Sequence, residues 1–208
     1  NADDVTAMST SQVAALTDKQ VGALTTTAVA SLSTDQVKAL TTAQIQGFTA
    51  AGLNAMDTSQ VAALTTSQVS ALKATQVAAL STGTLQAMTT TQVASLSEAQ
   101  IKALTTTEVA ALTTAQVKAM TTTQVAAMAT DDILALSSTQ VAELTTSQLQ
   151  ALSQAQVRTL ESAEVAAMST TQIQALSANQ FKTFATEDIA ALTTAQVAAL
   201  TTDQVKAI

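Results

Sequence analysis

The chain contains no cysteine, histidine, proline, tryptophan or tyrosine, and it has only four glycines and three phenylalanines in 208 residues. Without cysteine there is no disulfide framework and no zinc–thiolate site. Histidine, cysteine and tyrosine supply the commonest general bases and nucleophile–base pairs, so catalysis is poorly provided for. The sequence therefore predicts neither an enzyme nor a bound cofactor.

Charged side chains are also sparse, at 11% of the chain, and the net charge is −7. An acidic surface repels phosphate backbones and anionic headgroups, which disfavours nucleic acid and anionic membrane surfaces as partners. The apolar runs, typically of four residues as at 61–64 and at most five as at 125–129, are far shorter than the roughly 20 residues of a membrane span. No membrane insertion is predicted.

The sequence has instead a strict period of eight residues. Counted from residue 1 it comprises 26 octads without insertion or deletion, of which Thr193 to Leu200 is typical. Position five is always Val, Ile, Leu or Phe, and position eight is always Leu, Met, Phe or Ile. All six methionines lie at position eight, which marks them as core residues. Residues 1–208 are therefore predicted to form a single continuous array, as a segment of a longer one.

Each octad carries the signals of a helix start. Position one is Ser or Thr in 20 of the 26 octads and position four is mostly Gln, a capping box such as Thr113 with Gln116. Fourteen of the 15 acidic residues lie at positions one to four, and six of the eight basic residues lie at position six. A helix dipole favours that distribution. We therefore expect one helix of about six residues in every octad.

Two other architectures fit the period less well. In one continuous helix the apolar stripe would shift by about 80° per octad, leaving no consistent face to bury. In a β-solenoid, positions five and eight would point to opposite faces of a strand, and the corners would need more than four glycines. The predicted fold is therefore all-α, a solenoid of very short helices with positions five, seven and eight inward.

The octads that lack glutamine at position four indicate how the array winds. They recur at intervals of three, three and four octads, at Asp4, Ala28, Gly52, Thr84, Glu108, Asp132, Glu164 and Asp188. Three recurrences in a cycle of 80 residues correspond to about three and a third octads per turn. Duplication of an 80-residue block could also produce the long period. If the 80-residue period reflects the winding of the array, the octads without glutamine share one side of the superhelix. The 208 residues then make a rod on the order of 60–80 Å long.

Candidate sites are few. The adjacent pairs Asp131-Asp132 and Glu187-Asp188 could bind a cation, but neighbours on a helix start do not face one another, and the oxygen spacing of a calcium loop is missing. We expect them to be helix-start carboxylates and, at most, a weak cation site. The most irregular stretch runs from Gln46 to Asp57 and holds two of the four glycines. It is the expected place of a bend or a lateral contact.

The octad Ser/Thr-x-x-Gln-Val-x-Ala-Leu resembles the repeat tracts of very large secreted or cell-surface proteins of proteobacteria, over all 26 octads. The resemblance implies an extended, export-compatible structural segment without catalytic or binding residues. We expect a rigid rod or filament segment at the bacterial surface, with neighbouring repeats or further copies as partners. The alternatives are a repeat-based module that binds a protein or a glycan, and, less well supported, threonine ranks that bind ice.

Overall fold

The computed structural model describes residues 2–208, which form 26 short helices and no strand. Each octad contributes one helix, so the predicted all-α solenoid of very short helices is confirmed. The chain divides into two compact units, residues 1–104 and 105–208, each of thirteen octads. The boundary between them coincides with the junction of two octads. The single continuous array over 1–208 stays a prediction.

The helices have the following bounds. In the first unit they are α1 (Ala2–Ala7), α2 (Thr10–Ala14), α3 (Asp18–Gly22), α4 (Thr26–Ala30), α5 (Thr34–Ala39), α6 (Thr42–Gly47), α7 (Ala50–Asn54), α8 (Thr58–Ala63), α9 (Thr66–Ala71), α10 (Ala74–Val77), α11 (Thr82–Ala87), α12 (Thr90–Ala94) and α13 (Glu98–Ile101). In the second unit they are α14 (Thr106–Ala111), α15 (Thr114–Ala119), α16 (Thr122–Ala127), α17 (Thr130–Leu134), α18 (Ser138–Glu143), α19 (Thr146–Ala151), α20 (Gln154–Val157), α21 (Ser162–Ala167), α22 (Thr170–Ala175), α23 (Ala178–Phe181), α24 (Thr186–Ala190), α25 (Thr194–Ala198) and α26 (Thr202–Ala207).

Position one is the N-cap, as predicted. Thr113 Oγ1 accepts a hydrogen bond from the Gln116 backbone N–H at 3.2 Å, and Gln116 Oε1 accepts from the Thr113 N–H at 2.9 Å. Among the helices whose N-cap is described, four have no side-chain cap, those that begin after Lys73, Ala129, Glu161 and Ala185. Because such short helices consist almost wholly of end turns, these caps satisfy a large share of the backbone donors.

Positions five and eight fill the interior of each unit. Position five is buried from Val5 to Phe181, and position eight from Leu32 to Phe184. Position seven was expected to point inward, but it is half-buried in most octads, Ala39 among them. The rings of Phe181 and Phe184 meet edge to face, with centroids 5.5 Å apart. Two apolar positions per octad thus make the core, and a lone octad has nothing to bury them against.

Within each unit, most helices pack against the helix three octads further on. Examples are α2 with α5 and α5 with α8 in the first unit, and α15 with α18 in the second. Side chains at position six bond across the same spacing. Gln46 Nε2 donates to the Ala71 carbonyl at 2.9 Å, and Lys118 Nζ lies 2.9 Å from Glu143 Oε2. Other bonds, described below, span four octads, so the two spacings bracket the predicted turn of about three and a third octads.

The irregular stretch from Gln46 to Asp57 makes a lateral contact. Helices α3 and α6 approach at two glycines. A Cβ on Gly47 would lie 2.4 Å from the carbonyl oxygen of Asp18, and one on Gly22 would lie 2.6 Å from the carbonyl oxygen of Gly47. No side-chain carbon fits at such distances, so the close approach of these two backbones requires glycine.

Candidate functional site

The glutamine at position four joins two helices through one amide group. At the start of α19, Gln148 Oε1 accepts from the Thr145 backbone N–H at 2.6 Å. Its Nε2 donates to the carbonyl oxygens of Val117 at 3.0 Å and Met120 at 2.7 Å, at the end of α15. The amide therefore satisfies a donor at one helix start and two acceptors at a helix end four octads earlier. We call this arrangement a glutamine clamp.

The clamp recurs through both units, always with donation across 28 and 31 residues. Its glutamines are Gln36, Gln44, Gln60, Gln68, Gln76, Gln92 and Gln100 in the first unit and Gln140, Gln148, Gln156, Gln172, Gln180, Gln196 and Gln204 in the second. All of them are buried. In residues 2–208 no buried side-chain nitrogen or oxygen lacks a hydrogen-bond partner. The buried amides therefore avoid the cost of about 1–3 kcal/mol that an unpaired polar group carries.

Among the clamped helices of the second unit, helix length is constant. In the second unit the helices that receive a clamp are α14, α15, α16, α18, α19, α21 and α22, and all have six residues. The octads four positions after α17 and α20 carry Glu164 and Asp188 instead of glutamine, and those two helices have five and four residues. A carboxylate has no N–H to donate. In the second unit the amide therefore coincides with a helix of six residues, whereas α2 and α4 in the first unit receive the clamps of Gln44 and Gln60 and have five residues.

Sequence reasoning predicted the capping bond of this glutamine but missed its donor role. Near a helix N-terminus a carboxylate would make the same capping bond and suit the helix dipole better. The preference for Gln over Glu at position four therefore signals that a donor is needed. The acceptors could not be identified from sequence because they depend on how four octads wind in space.

Asn54 replaces a clamp where position four is Thr84. Asn54 Oδ1 accepts from the Ser81 backbone N–H at 2.7 Å and from Thr84 Oγ1 at 3.0 Å, while its Nδ2 donates to the Ala79 carbonyl at 2.8 Å. Asn54, which lies in the octad of Gly52, thus supplies the capping acceptor that a glutamine at position 84 would otherwise provide. Two octads that lack glutamine therefore lie on adjacent turns of the first unit, as the predicted winding requires.

The two acidic pairs are each divided between surface and interior. Asp131 and Glu187 are exposed, whereas Asp132 and Asp188 are buried. Asp132 Oδ2 accepts from the Ala129 backbone N–H at 2.9 Å, so it caps a helix whose position one has no hydroxyl. Asp188 does the same at the start of α24, at 3.0 Å, and also accepts from a serine hydroxyl three octads earlier.

These pairs act in the structure as helix-start carboxylates. Burial raises the pKa of the Asp132 carboxyl above its ordinary value, and the adjacent Asp131 charge also raises it, whereas the hydrogen bond from Ala129 lowers it. Across residues 2–208, no three side chains of the metal-binding types lie close enough together to hold an ion. None of the described helices combines the length and hydropathy needed to cross a bilayer.

Amide side chains also line an open trough of about 610 Å³ on the second unit. Gln150, Gln154, Gln174 and Asn179 are exposed around it. They lie at positions two, three and six, where most octads carry Thr, Ser, Ala or Lys. Gln174 Nε2 donates to the Ala199 carbonyl at 2.8 Å. Primary amides both donate and accept hydrogen bonds, which suits a ligand rich in hydroxyl groups.

The stacked octads and their clamps define a helical repeat protein. The ALTTAQ repeat family model matches residues 1–34, 19–50, 74–106, 99–130, 125–162, 157–194 and 183–208. These matches cover most of the sequence, and the chain belongs to the ALTTAQ repeat family. The six letters occur at 39–44, 111–116 and 191–196, from position seven of one octad to position four of the next. No curated protein matches the chain.

Proposed function

We propose that the chain is a structural segment of an extracellular or cell-surface bacterial protein, a rigid spacer whose length is set by the number of octads. The glutamine clamp is the observation that carries this proposal. Within each unit it ties successive turns together through a buried amide, as Gln44 is tied to Val13 and Leu16 at 2.8 and 2.7 Å. Buried, fully paired amides resist local opening.

The uniformity of the octads supports the same role. Positions four, five and eight occupy equivalent places in both units, and the same spacings recur in each. In such arrays stability is the sum of repeat terms and nearest-neighbour terms, so added repeats extend the structure without new folding information. Membership of a tandem-repeat family agrees with this use.

The extracellular location rests on the resemblance of the octad to surface-protein repeats and on a cysteine-free composition compatible with export. Antibodies against the chain should label intact cells of the source bacterium. Labelling confined to permeabilised cells would contradict the location but leave the spacer role standing.

The spacer role predicts how size changes with octad number. A second copy of residues 113–192 inserted after Leu192 adds ten octads and preserves the three-three-four spacing. Three added layers of about 8–10 Å should lengthen the particle by about 24–30 Å at constant cross-section, measured by small-angle X-ray scattering. As a control, the same insert with Glu at its seven position-four glutamines should not extend the folded array. A cross-section that grows with the insert would contradict the proposal.

The amide trough favours a second function, the binding of a hydroxylated ligand such as a glycan. A glycan array should then show binding that is lost in the double variant Gln154→Ala, Asn179→Ala and kept in Thr194→Ala, which lies outside the trough. Equal signals from both variants would remove this candidate.

A further inference from the structure

The helices α20 and α23 form one exposed face of the second unit. They pack against each other three octads apart, with α17 packed against α20 on one side of the pair and α26 packed against α23 on the other. Because further layers of the array lie on both sides, the exposure of this face does not depend on where the sequence begins or ends. We call it the α20–α23 face (Gln154, Arg158, Asn179 and Lys182, all exposed).

Each of these two helices carries an amide at its start and a cation at its end. Gln154 and Arg158 lie four residues apart, and Asn179 and Lys182 lie three apart. Both cations keep a right-handed helical backbone, with φ of −63° and −65°. Residues three and four apart on a helix share one side, with Cβ atoms about 5–6 Å apart. Two amides and two cations therefore share one face, in two layers about 8–10 Å apart.

Two grooves flank the pair of helices. The amide trough described above opens at their starts, where Gln154 and Asn179 line it. A second groove of about 520 Å³ opens at their ends and is lined by Arg158, Lys182, Thr183, Phe184 and Ala185. We call it the cationic groove. A ligand that lies across the two helices can reach amides at one edge and positive charges at the other.

The two cations of the groove have no counter-charge in the structure. Within residues 2–208 their side chains form neither an ion pair nor a hydrogen bond, whereas Lys118 pairs with Glu143 at 2.9 Å. The carboxylates that follow them most closely in sequence, Glu161 and Glu187, do not line the groove. Folding does not require a cation at position six, since eleven octads carry Ala there. The two charges are therefore free to receive an anion.

We propose that the α20–α23 face binds an acidic polysaccharide, with hydroxyl groups in the amide trough and carboxylate or sulfate groups in the cationic groove. Amides donate to and accept from hydroxyl groups, and a guanidinium presents two parallel N–H groups to one carboxylate. The aromatic rings of this region, Phe181 and Phe184, are buried, so the bases of a single-stranded nucleic acid find no ring to stack on. The inference rests on the proposed glycan-binding role of the trough and deepens it, because it names the class of glycan.

Polygalacturonate is the probe, because its sugars carry both hydroxyls and a carboxylate, and its methyl ester keeps the hydroxyls but loses the charge. In isothermal titration calorimetry with the whole chain, in calcium-free buffer, the acid should bind, more weakly as salt is added. The ester should bind more weakly than the acid. Arg158→Gln, Lys182→Gln should weaken binding of the acid by about five- to thirtyfold, the effect of losing two charge contacts.

The matched control is Lys38→Gln, Lys102→Gln, which removes the same net charge from exposed position-six residues of the first unit. It should change the affinity for the acid by less than about twofold. Far-UV circular dichroism establishes that each variant is folded. Four results would overturn the inference: no binding of polygalacturonate, equal losses in the two charge variants, an ester that binds as well as the acid, or an oligothymidylate that binds more tightly than the acid.

The amide variant Gln154→Ala, Asn179→Ala separates this inference from the glycan role on which it rests. It should weaken binding of both polymers. If the ester binds as well as the acid and the amide variant loses both, the trough binds glycans and only the anionic class is wrong. Binding of the acid that the amide variant leaves unchanged would contradict both proposals.

Discussion

A helix of six residues leaves four N–H groups and four carbonyl groups at its ends without an internal partner, so at the scale of the residue almost every backbone polar group must find a hydrogen-bond partner outside its own helix. In this chain different types of side chain supply these partners. Hydroxyl groups at position one accept from N–H groups, and amides at position four accept at one helix and donate to another. A side chain that only accepts hydrogen bonds, or only donates them, satisfies the backbone groups of only one helix end.

The hydroxyl cap predicts a difference between two adjacent threonines. Thr113→Ala removes the acceptor of the Gln116 N–H and should lower the free energy of unfolding by about 1 kcal/mol. Thr114→Ala, at an exposed position without a cap bond, should change it by less than about 0.5 kcal/mol. Urea unfolding followed by circular dichroism measures both. Equal losses would show that the Thr113 hydroxyl contributes nothing as a cap.

The buried Asp132 predicts a local dependence on pH. Because its pKa is raised in the folded state, that state binds more protons than the unfolded one between the ordinary and the raised pKa. The free energy of unfolding contributed by this group therefore falls as the pH rises through that interval, and the loss is complete above it. Asp132→Asn keeps an acceptor for the Ala129 N–H and removes the charge.

The variant should therefore gain stability relative to the unchanged protein as the pH rises through the acid range. Asp131→Asn is the control, since this exposed neighbour contributes only through its charge. A stability difference between Asp132→Asn and the unchanged protein that is constant with pH, or that shrinks as the pH rises, would show that Asp132 is not the titrating group.

At the scale of the element, a helix is defined here by partners in other octads more than by its own length. Isolated helices shorter than about 12–15 residues are marginal in water, so helices of four to six residues depend on caps and packing. In the second unit the shorter α17 and α20 lie four octads before carboxylates and receive no amide at the helix end.

Contact between α3 and α6 predicts opposite effects of one substitution at two glycines. Gly47→Ala would place a Cβ 2.4 Å from the Asp18 carbonyl oxygen, so the two helices must separate, at a cost on the order of 1–3 kcal/mol. Gly83→Ala in α11 meets only the Ser81 hydroxyl at 3.8 Å and should stabilise by about 0.5–1 kcal/mol. Thermal unfolding of the two variants measures the difference. A Gly47→Ala protein as stable as Gly83→Ala would contradict the close packing.

The sequence was sufficient for the helices and their starts because those signals are local. The capping pair of Thr113 and Gln116 lies within four residues, and the apolar positions five and eight recur without exception. The clamp and the bonds of Asn54 were not predicted because their partners lie 25 to 31 residues away. For the same reason, the sequence did not predict that the glycines at 22 and 47 lie close together. Only the winding of the chain brings such positions together.

At the scale of the whole molecule, each unit is held by two kinds of contact with different spacings. Helix packing and position-six side chains link octads three apart, while glutamine clamps link octads four apart. Together these two contacts fix the length of one turn at a value between three and four octads. The clamp is the component that buries a polar group, and so it is the one whose loss should cost most.

The most direct test compares one substitution at two sites in α19. Gln148→Glu keeps a capping acceptor for the Thr145 N–H, as Glu108 does for its own N-cap, but places a buried carboxylate against the carbonyls of Val117 and Met120. It should lower the free energy of unfolding by about 3 kcal/mol or more. Gln150→Glu makes the same change at an exposed position of the same helix and should cost less than about 1 kcal/mol. Similar losses for the two variants in denaturant unfolding would show that the glutamine clamp does not hold the array together.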